Sequence, residues 1–310
     1  MEDPISTPDL TPEATPASRS AVIGLIRTAR PRQWLKNLLV FAAPLAAGVL
    51  LQWDTLLLGL IAFGAFSLSA SAVYLVNDSR DVEADRAHPK KRSRPIAAGI
   101  VSVPLAVTTA VILFAAGIAL AALAGWELVV VILVYDVLQL AYCFWLKHAS
   151  LFDIAIVASG FLLRAIAGGA ATGVELSQWF LLVAVFGSLL MVSGKRFAEI
   201  LANPEKKGAV RGSLKAYTPS YLRFVWQSSA AIVILGYSLW AFSGATSDPL
   251  WTSLSVVPFI LAVFRYCQHI DRGDAEAPED IALHDPSLQA MAIAWVGTLL
   301  VALYLAPLWS

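Results

Sequence analysis

The sequence predicts an all-α, polytopic membrane protein of nine transmembrane helices, and three observations carry that expectation. Of 310 residues, 58% are hydrophobic and only 14% charged, whereas ordinary soluble domains devote about a quarter to charge. Nine apolar runs are long enough to cross a hydrocarbon layer, which takes roughly 20 helical residues. Lys and Arg fall on alternate loops between those runs, as the positive-inside rule requires.

Residues 1–20 open the chain as a Pro-, Thr-, Ser- and acid-rich stretch without the basic start and apolar centre of a signal peptide, so they are read as a disordered cytoplasmic tail ahead of one domain over 21–310. The expected spans are 35–52, 55–77, 101–124, 127–146, 151–172, 177–194, 221–243, 250–267 and 288–308. Arg19, Arg27, Arg30, Arg32 and Lys36 precede or open the first. Arg80, Arg86, Lys90, Lys91, Arg92 and Arg94 separate the second from the third, and Lys147 follows the fourth. Lys195, Arg196, Lys206, Lys207, Arg211, Lys215 and Arg223 lie between the sixth and seventh; Arg265 and Arg272 follow the eighth. The intervening loops near 53, 125, 174 and 246 hold no Lys or Arg. This pattern places the N-terminus and the polar chemistry in the cytoplasm and the C-terminus outside, in a cell membrane.

The charged residues then group by span. At the end of the second span, NDSRDVEAD supplies Asn77, Asp78, Asp81 and Asp85. On a continuous helix, positions i, i+3 and i+7 share a face, so the three aspartates are expected to form one acidic stripe. Hard oxygen donors in that number suit Mg2+ shared with a substrate phosphate; the plainer reading is a solvated helix end balanced by Arg80 and Arg86. Lys90, Lys91, Arg92 and Arg94 follow at once, and metal and cations together make a polyphosphate site.

After the sixth span, Lys195, Arg196 and Glu199 offer a second set of phosphate donors, or an intrahelical ion pair. Asp153 and Arg164, eleven residues apart, return to nearly one helical face about 16 Å apart in depth. An ionisable group that deep ordinarily faces a polar cavity, so both are expected on one cavity wall; the plainer reading is a purely structural interhelical pair. Acids at Glu276, Glu279, Asp280 and Asp285 precede the last span. Cys143 and Cys267 read as packing residues. The four histidines show no metal-binding spacing, and nothing calls for nucleic acid as a partner.

The motif N-D-x-x-D-x-x-x-D within nine spans resembles the UbiA superfamily of intramembrane prenyltransferases from about residue 22 onward, which implies a helical bundle with a cytoplasmic active-site cavity. Typical aromatic prenyltransferases of that superfamily carry a second Asp-rich motif where this chain has GKRFAE. Together with RPRQWLKN, YCFWLKH and PEDIALHD, that departure resembles the decaprenyl-phosphate phosphoribosyltransferase family within the superfamily. The resemblance implies transfer of 5-phosphoribose from phosphoribosyl diphosphate to a polyprenyl phosphate, with Mg2+ as cofactor, on the route to cell-wall arabinan. It implies metal-binding and catalytic roles for Asp78, Asp81 and Asp85 and catalytic roles for Lys195 and Arg196. Substrate contacts are implied for Lys36, Asn77, Arg80, Lys90, Lys91, Arg92, Tyr142, Lys147, Asp153, Arg164, Glu199 and Asp280. A prenyltransferase acting on an aromatic or other acceptor is the alternative within the superfamily. A transporter is the alternative outside it, disfavoured by the absence of internal repeats.

Overall fold

In the computed structural model, residues 16–146, 150–202, 217–243 and 249–306 are described, and they contain helices and no strand. In order, the helices are α1 (Pro16–Ala29), a 3-10 helix (Pro31–Phe41), α2 (Ala42–Ala46), α3 (Trp53–Arg80), α4 (Val82–Ala87), a short 3-10 turn (Lys91–Ser93), α5 (Val103–Ala122), α6 (Trp126–Phe144), α7 (Ser150–Thr172), α8 (Gln178–Leu201), α9 (Pro219–Phe242), α10 (Pro249–Arg272), α11 (Pro278–His284) and α12 (Pro286–Leu300). Helix α12 is extended by a π turn over Val301–Leu305. Eight helices are long and apolar enough to cross a membrane: α3, α5 to α10, and α12 with its extension.

The first expected span, 35–52, is not one α-helix. It is the last part of the 3-10 helix followed by α2. A 3-10 helix rises about 2.0 Å per residue, so its eleven residues and the five of α2 together cover about 30 Å, a hydrocarbon thickness. The three-residue period has a packing consequence: it sets positions i, i+3 and i+6 in one line. Trp34, Asn37 and Val40 occupy that line. Trp34 Nε1 donates to Ser71 Oγ at 3.1 Å and Asn37 Nδ2 to Ser67 Oγ at 2.9 Å, both on α3, while Val40 is fully buried. On the other flank α7 comes so close that a Cβ added to Gly168 would stand 2.0 Å from the Val40 carbonyl oxygen.

Helices α3 and α7 are the two most buried spans, each with 56% of its most apolar window buried. The share is 11% for α12, which puts α12 at the lipid-facing rim. The buried side chains of α3 are mostly small, including Ala62, Ala65, Ser69, Ala70 and Ala72, and small residues let neighbouring helices approach closely in a membrane. Helices α5, α6, α7 and the 3-10 helix use that access. A second pack joins α8, α9 and α10 with α12. Helix α1 starts at Pro16, within the segment 1–20, and residues 1–15 lie outside the described residues.

Candidate active site

The helix expected to carry the acidic stripe is interrupted within it. Helix α3 stops at Arg80, Asp81 turns at φ −92° and ψ 9°, and α4 begins at Val82. Asp78 and Asp85, on either side of the break, face one cation. Arg94 Nη1 donates to Asp78 Oδ1 at 3.1 Å and to Asp85 Oδ2 at 2.7 Å. Arg30 Nη2 meets both oxygens of Asp78, at 2.8 and 3.0 Å, with its guanidinium 4.7 Å from the centroid of the Tyr74 ring. The two carboxylates are 2% and 3% exposed, so they need these partners.

Arg30 is also the one non-glycine residue with positive φ among the described residues, at 52°. A non-glycine in the left-handed region costs of order 1–3 kcal/mol and persists where the surroundings impose it. Here the turn between α1 and the 3-10 helix aims the guanidinium at Asp78. Reading the sequence placed Arg30 among the topology signals, since its partner lies 48 residues away.

A second network lies at the same end of the bundle. Arg196, on α8, grips Asp153, on α7, with Nε at 2.7 Å and Nη2 at 2.9 Å, and reaches Glu199 with Nη1 at 2.7 Å. Tyr142, near the end of α6, donates to Asp153 Oδ1 at 2.7 Å. The next residue, Cys143, donates through sulfur to Asn77 Oδ1 at 3.8 Å, and Asn77 Nδ2 reaches Asp78 Oδ1 at 3.4 Å. Adjacent residues of α6 therefore link the two networks, and Cys143, read as packing, is one of the links. Tyr217, ahead of α9, is 8% exposed. Burial first, and the Asp153 carboxylate second, push this phenol up to about 12, so it remains a donor at neutral pH.

Arg164 and Asp153 do not pair with each other. Arg164 is 7% exposed, with Nε on Asn37 Oδ1 at 2.6 Å, Nη1 on the Gly160 carbonyl at 2.5 Å and Nη2 on Tyr135 Oη at 3.2 Å. The rings of Tyr135 and Phe66 cover the guanidinium. Lys36, one residue before Asn37, sets its ammonium 5.9 Å from the Phe161 centroid on α7.

The remaining predicted residues surround the networks. Arg80 stacks over Phe144 at 4.9 Å. Lys90 and Arg92 are exposed and Lys91 is half-buried, in a loop that His88 shapes by accepting the Lys90 and Lys91 amides. Lys195 is half-buried beside Arg196. Asp280 is exposed in α11, where its carbonyl pairs with His284, and it joins neither network. Lys147 lies outside the described residues.

A third cluster lies outside the predicted site residues. Asp285 Oδ2 accepts from Arg265 Nε at 2.7 Å and lies 2.5 Å from His269 Nε2, while Oδ1 caps α12 at the Ser287 and Leu288 amides. The His269 bond first, then Arg265, holds this carboxyl well below the usual carboxylate range.

Among the described residues no three His, Cys, Asp or Glu side chains converge as a metal set. Mg2+ commonly takes one or two carboxylates and completes its shell with water and substrate phosphate. Asp78 and Asp85 meet that requirement, because each has an oxygen within bonding distance of the same Arg94 nitrogen.

The UbiA prenyltransferase family model matches residues 38–285. The decaprenyl-phosphate phosphoribosyltransferase of Corynebacterium glutamicum is 52% identical over 292 residues, covering 92% of this chain and 88% of that protein. The protein of the same name from Mycobacterium tuberculosis is 52% identical over 281 residues, covering 89% and 93%. A UbiA homolog from Archaeoglobus fulgidus, solved bound to GPP and Mg2+, superposes with a TM-score of 0.68 at 17% identity, covering 89% of this chain and 96% of its own.

Proposed function

The chain belongs to the UbiA prenyltransferase family, and from that membership we propose that it transfers 5-phosphoribose from phosphoribosyl diphosphate to decaprenyl phosphate, releasing diphosphate. Two relatives about half identical to it are named decaprenyl-phosphate phosphoribosyltransferase. The observation that carries the reading is the end of α8. There Arg196 is committed to Asp153 and Glu199, where the superfamily's aromatic prenyltransferases hold a second carboxylate-rich motif. One acidic pair with several cations suits a donor that bears a diphosphate and a separate phosphate.

In this reading Asp78 and Asp85, with Asp81 in the turn between them, would hold Mg2+, a use in keeping with the Archaeoglobus relative solved with that ion. When bound, the ion neutralises the diphosphate and favours its departure. Arg30 and Arg94, released from the carboxylates they now pair with, turn to the phosphate oxygens, joined by Lys90, Lys91 and Arg92. Arg196 fixes Asp153, and Tyr142 fixes the same carboxylate from α6. Lys36, Lys195 and Arg164 supply positive potential for the remaining phosphate.

A phosphate monoester with a second pKa of about 6 is dianionic at neutral pH. It therefore attacks without a general base. Its oxygen bonds to ribose C1 as the C1–O bond to diphosphate breaks with its electron pair, and C1 inverts through an oxocarbenium-like state. Cations placed where charge accumulates stabilise that state. The polyprenyl tail lies in lipid-facing apolar surface, and the reaction runs on the cytoplasmic face of the plasma membrane, with the N-terminus inside and the C-terminus outside. The test is mass spectrometry of the lipid product when purified protein receives phosphoribosyl diphosphate, a prenyl diphosphate, decaprenyl phosphate and an aromatic acceptor together. A decaprenyl phosphate heavier by one phosphoribosyl group supports the proposal; a prenylated acceptor overturns it.

A further inference from the structure

Helix α1 has two apolar sides, and only one is used within the chain. Gly24 and Thr28 are buried, and Leu25 packs with the Ile96 and Val101 cluster. Val22, Ile23 and Ile26 remain 55%, 52% and 56% exposed. Positions i, i+1 and i+4 fall within an arc of about 100° at 3.6 residues per turn, so these three form one contiguous strip. Arg27 is exposed beside it.

The position of α1 fixes the depth of that strip. A Cβ added to Gly24 would stand 2.6 Å from Val101 Cγ2 and 3.2 Å from Ile100 Cγ2. Two residues later Val103 opens the transmembrane helix α5. Ile100 and Val103 are themselves 44% and 38% exposed, so exposed apolar side chains lie on both α1 and the start of α5 at this level. Residues 16–35 contain four arginines and no acid. Of these Arg30 is committed to Asp78.

We propose that α1 is a membrane-surface helix, with Val22, Ile23 and Ile26 seated among the acyl chains at the basic end of the bundle and Arg27 on anionic lipid phosphates. An amphipathic helix of this kind binds through buried apolar area together with attraction to anionic headgroups. The helix runs into Arg30, so the lipid surface helps to hold the turn that delivers this guanidinium to Asp78.

The test is nitroxide accessibility in the intact protein, reconstituted in nanodiscs of phosphatidylglycerol or of phosphatidylcholine. Labels are placed singly at Ser20→Cys, Val22→Cys, Ile23→Cys and Ile26→Cys, with the chain lacking an introduced cysteine as background for Cys143 and Cys267. Collisions with oxygen relative to a water-soluble nickel complex are expected to be severalfold higher at 22, 23 and 26 than at 20, and higher in phosphatidylglycerol than in phosphatidylcholine. Nickel collisions at 23 and 26 equal to those at 20 put the strip in water and overturn the proposal. Low collisions with both reagents put it under protein, a second copy of the chain, and overturn it too. Equal ratios in the two lipids overturn the preference for anionic headgroups.

Discussion

Arg94 and Asp85 meet at 2.7 Å, and the same guanidinium nitrogen reaches Asp78 at 3.1 Å. One side chain thus neutralises the pair proposed to hold the metal, and stands ready for the phosphates that the metal brings. Arg94→Ala is expected to lower kcat/KM by about 10²- to 10³-fold, the usual loss on removing one charge-stabilising donor. Arg94→Lys should recover only part of it, because an ammonium lacks the planar fork. Initial rates at varied phosphoribosyl diphosphate decide the point: an alanine variant near the parent rate removes Arg94 from the reaction.

Asp153 is fully buried and its partner Arg196 is 3% exposed. Removing one partner leaves an uncompensated buried charge, which costs about 3–5 kcal/mol. Arg196→Met should therefore unfold at a clearly lower temperature than the double variant Asp153→Asn/Arg196→Met. Equal thermal stabilities for the two would mean that the ion pair adds nothing to the α7–α8 packing.

Gly168 allows the 3-10 helix to lie against α7. A methyl group 2.0 Å from the Val40 carbonyl meets backbone rather than a movable side chain. Gly168→Ala should cost at least the upper part of the usual overpacking range of about 1–3 kcal/mol and shift Asn37 off Arg164. Gly297→Ala, with nothing within 4 Å, is the control, and thermal unfolding of the two in one detergent is the comparison. Matching stabilities would show that the close approach is not needed.

Asp285 gives the fold a pH dependence whose sign follows from its partners. Its folded-state pKa lies below the unfolded value, through the His269 and Arg265 bonds. The stabilisation is thus present above about pH 4, the unfolded carboxylate value, and is lost as pH falls from there through the folded one. Asp285→Asn should lower Tm at pH 7, and the gap from the parent should narrow below about pH 4. A gap that stays constant across that window assigns the effect to packing alone.

The eight continuous spans were legible because apolar length is the one signal a bilayer demands. The 3-10 helix was not. Over the eleven residues of Pro31–Phe41 a period of three differs little from 3.6, and the apolar content serves both. The break at Asp81 was hidden for a related reason, since Asp78, Asp81 and Asp85 fit an unbroken helix and no Gly or Pro interrupts them. Residue types at the site could be read, whereas pairings could not. Arg30 finds Asp78 across 48 positions, and Arg164 finds Asn37 across 127. Asp153 turns to Arg196 rather than to the arginine on its own helix.

The central claim is metal-dependent phosphoribosyl transfer at the Asp78–Asp85 pair, and the direct measurement is transfer of label from phosphoribosyl diphosphate into decaprenyl phosphate by purified protein, with Mg2+ or with EDTA, beside Asp78→Asn and Asp85→Asn. The account predicts a lipid-linked phosphoribose that forms with Mg2+, disappears with EDTA and is all but lost in both variants. Product that persists in EDTA or in either variant, or no product from this donor, would contradict it.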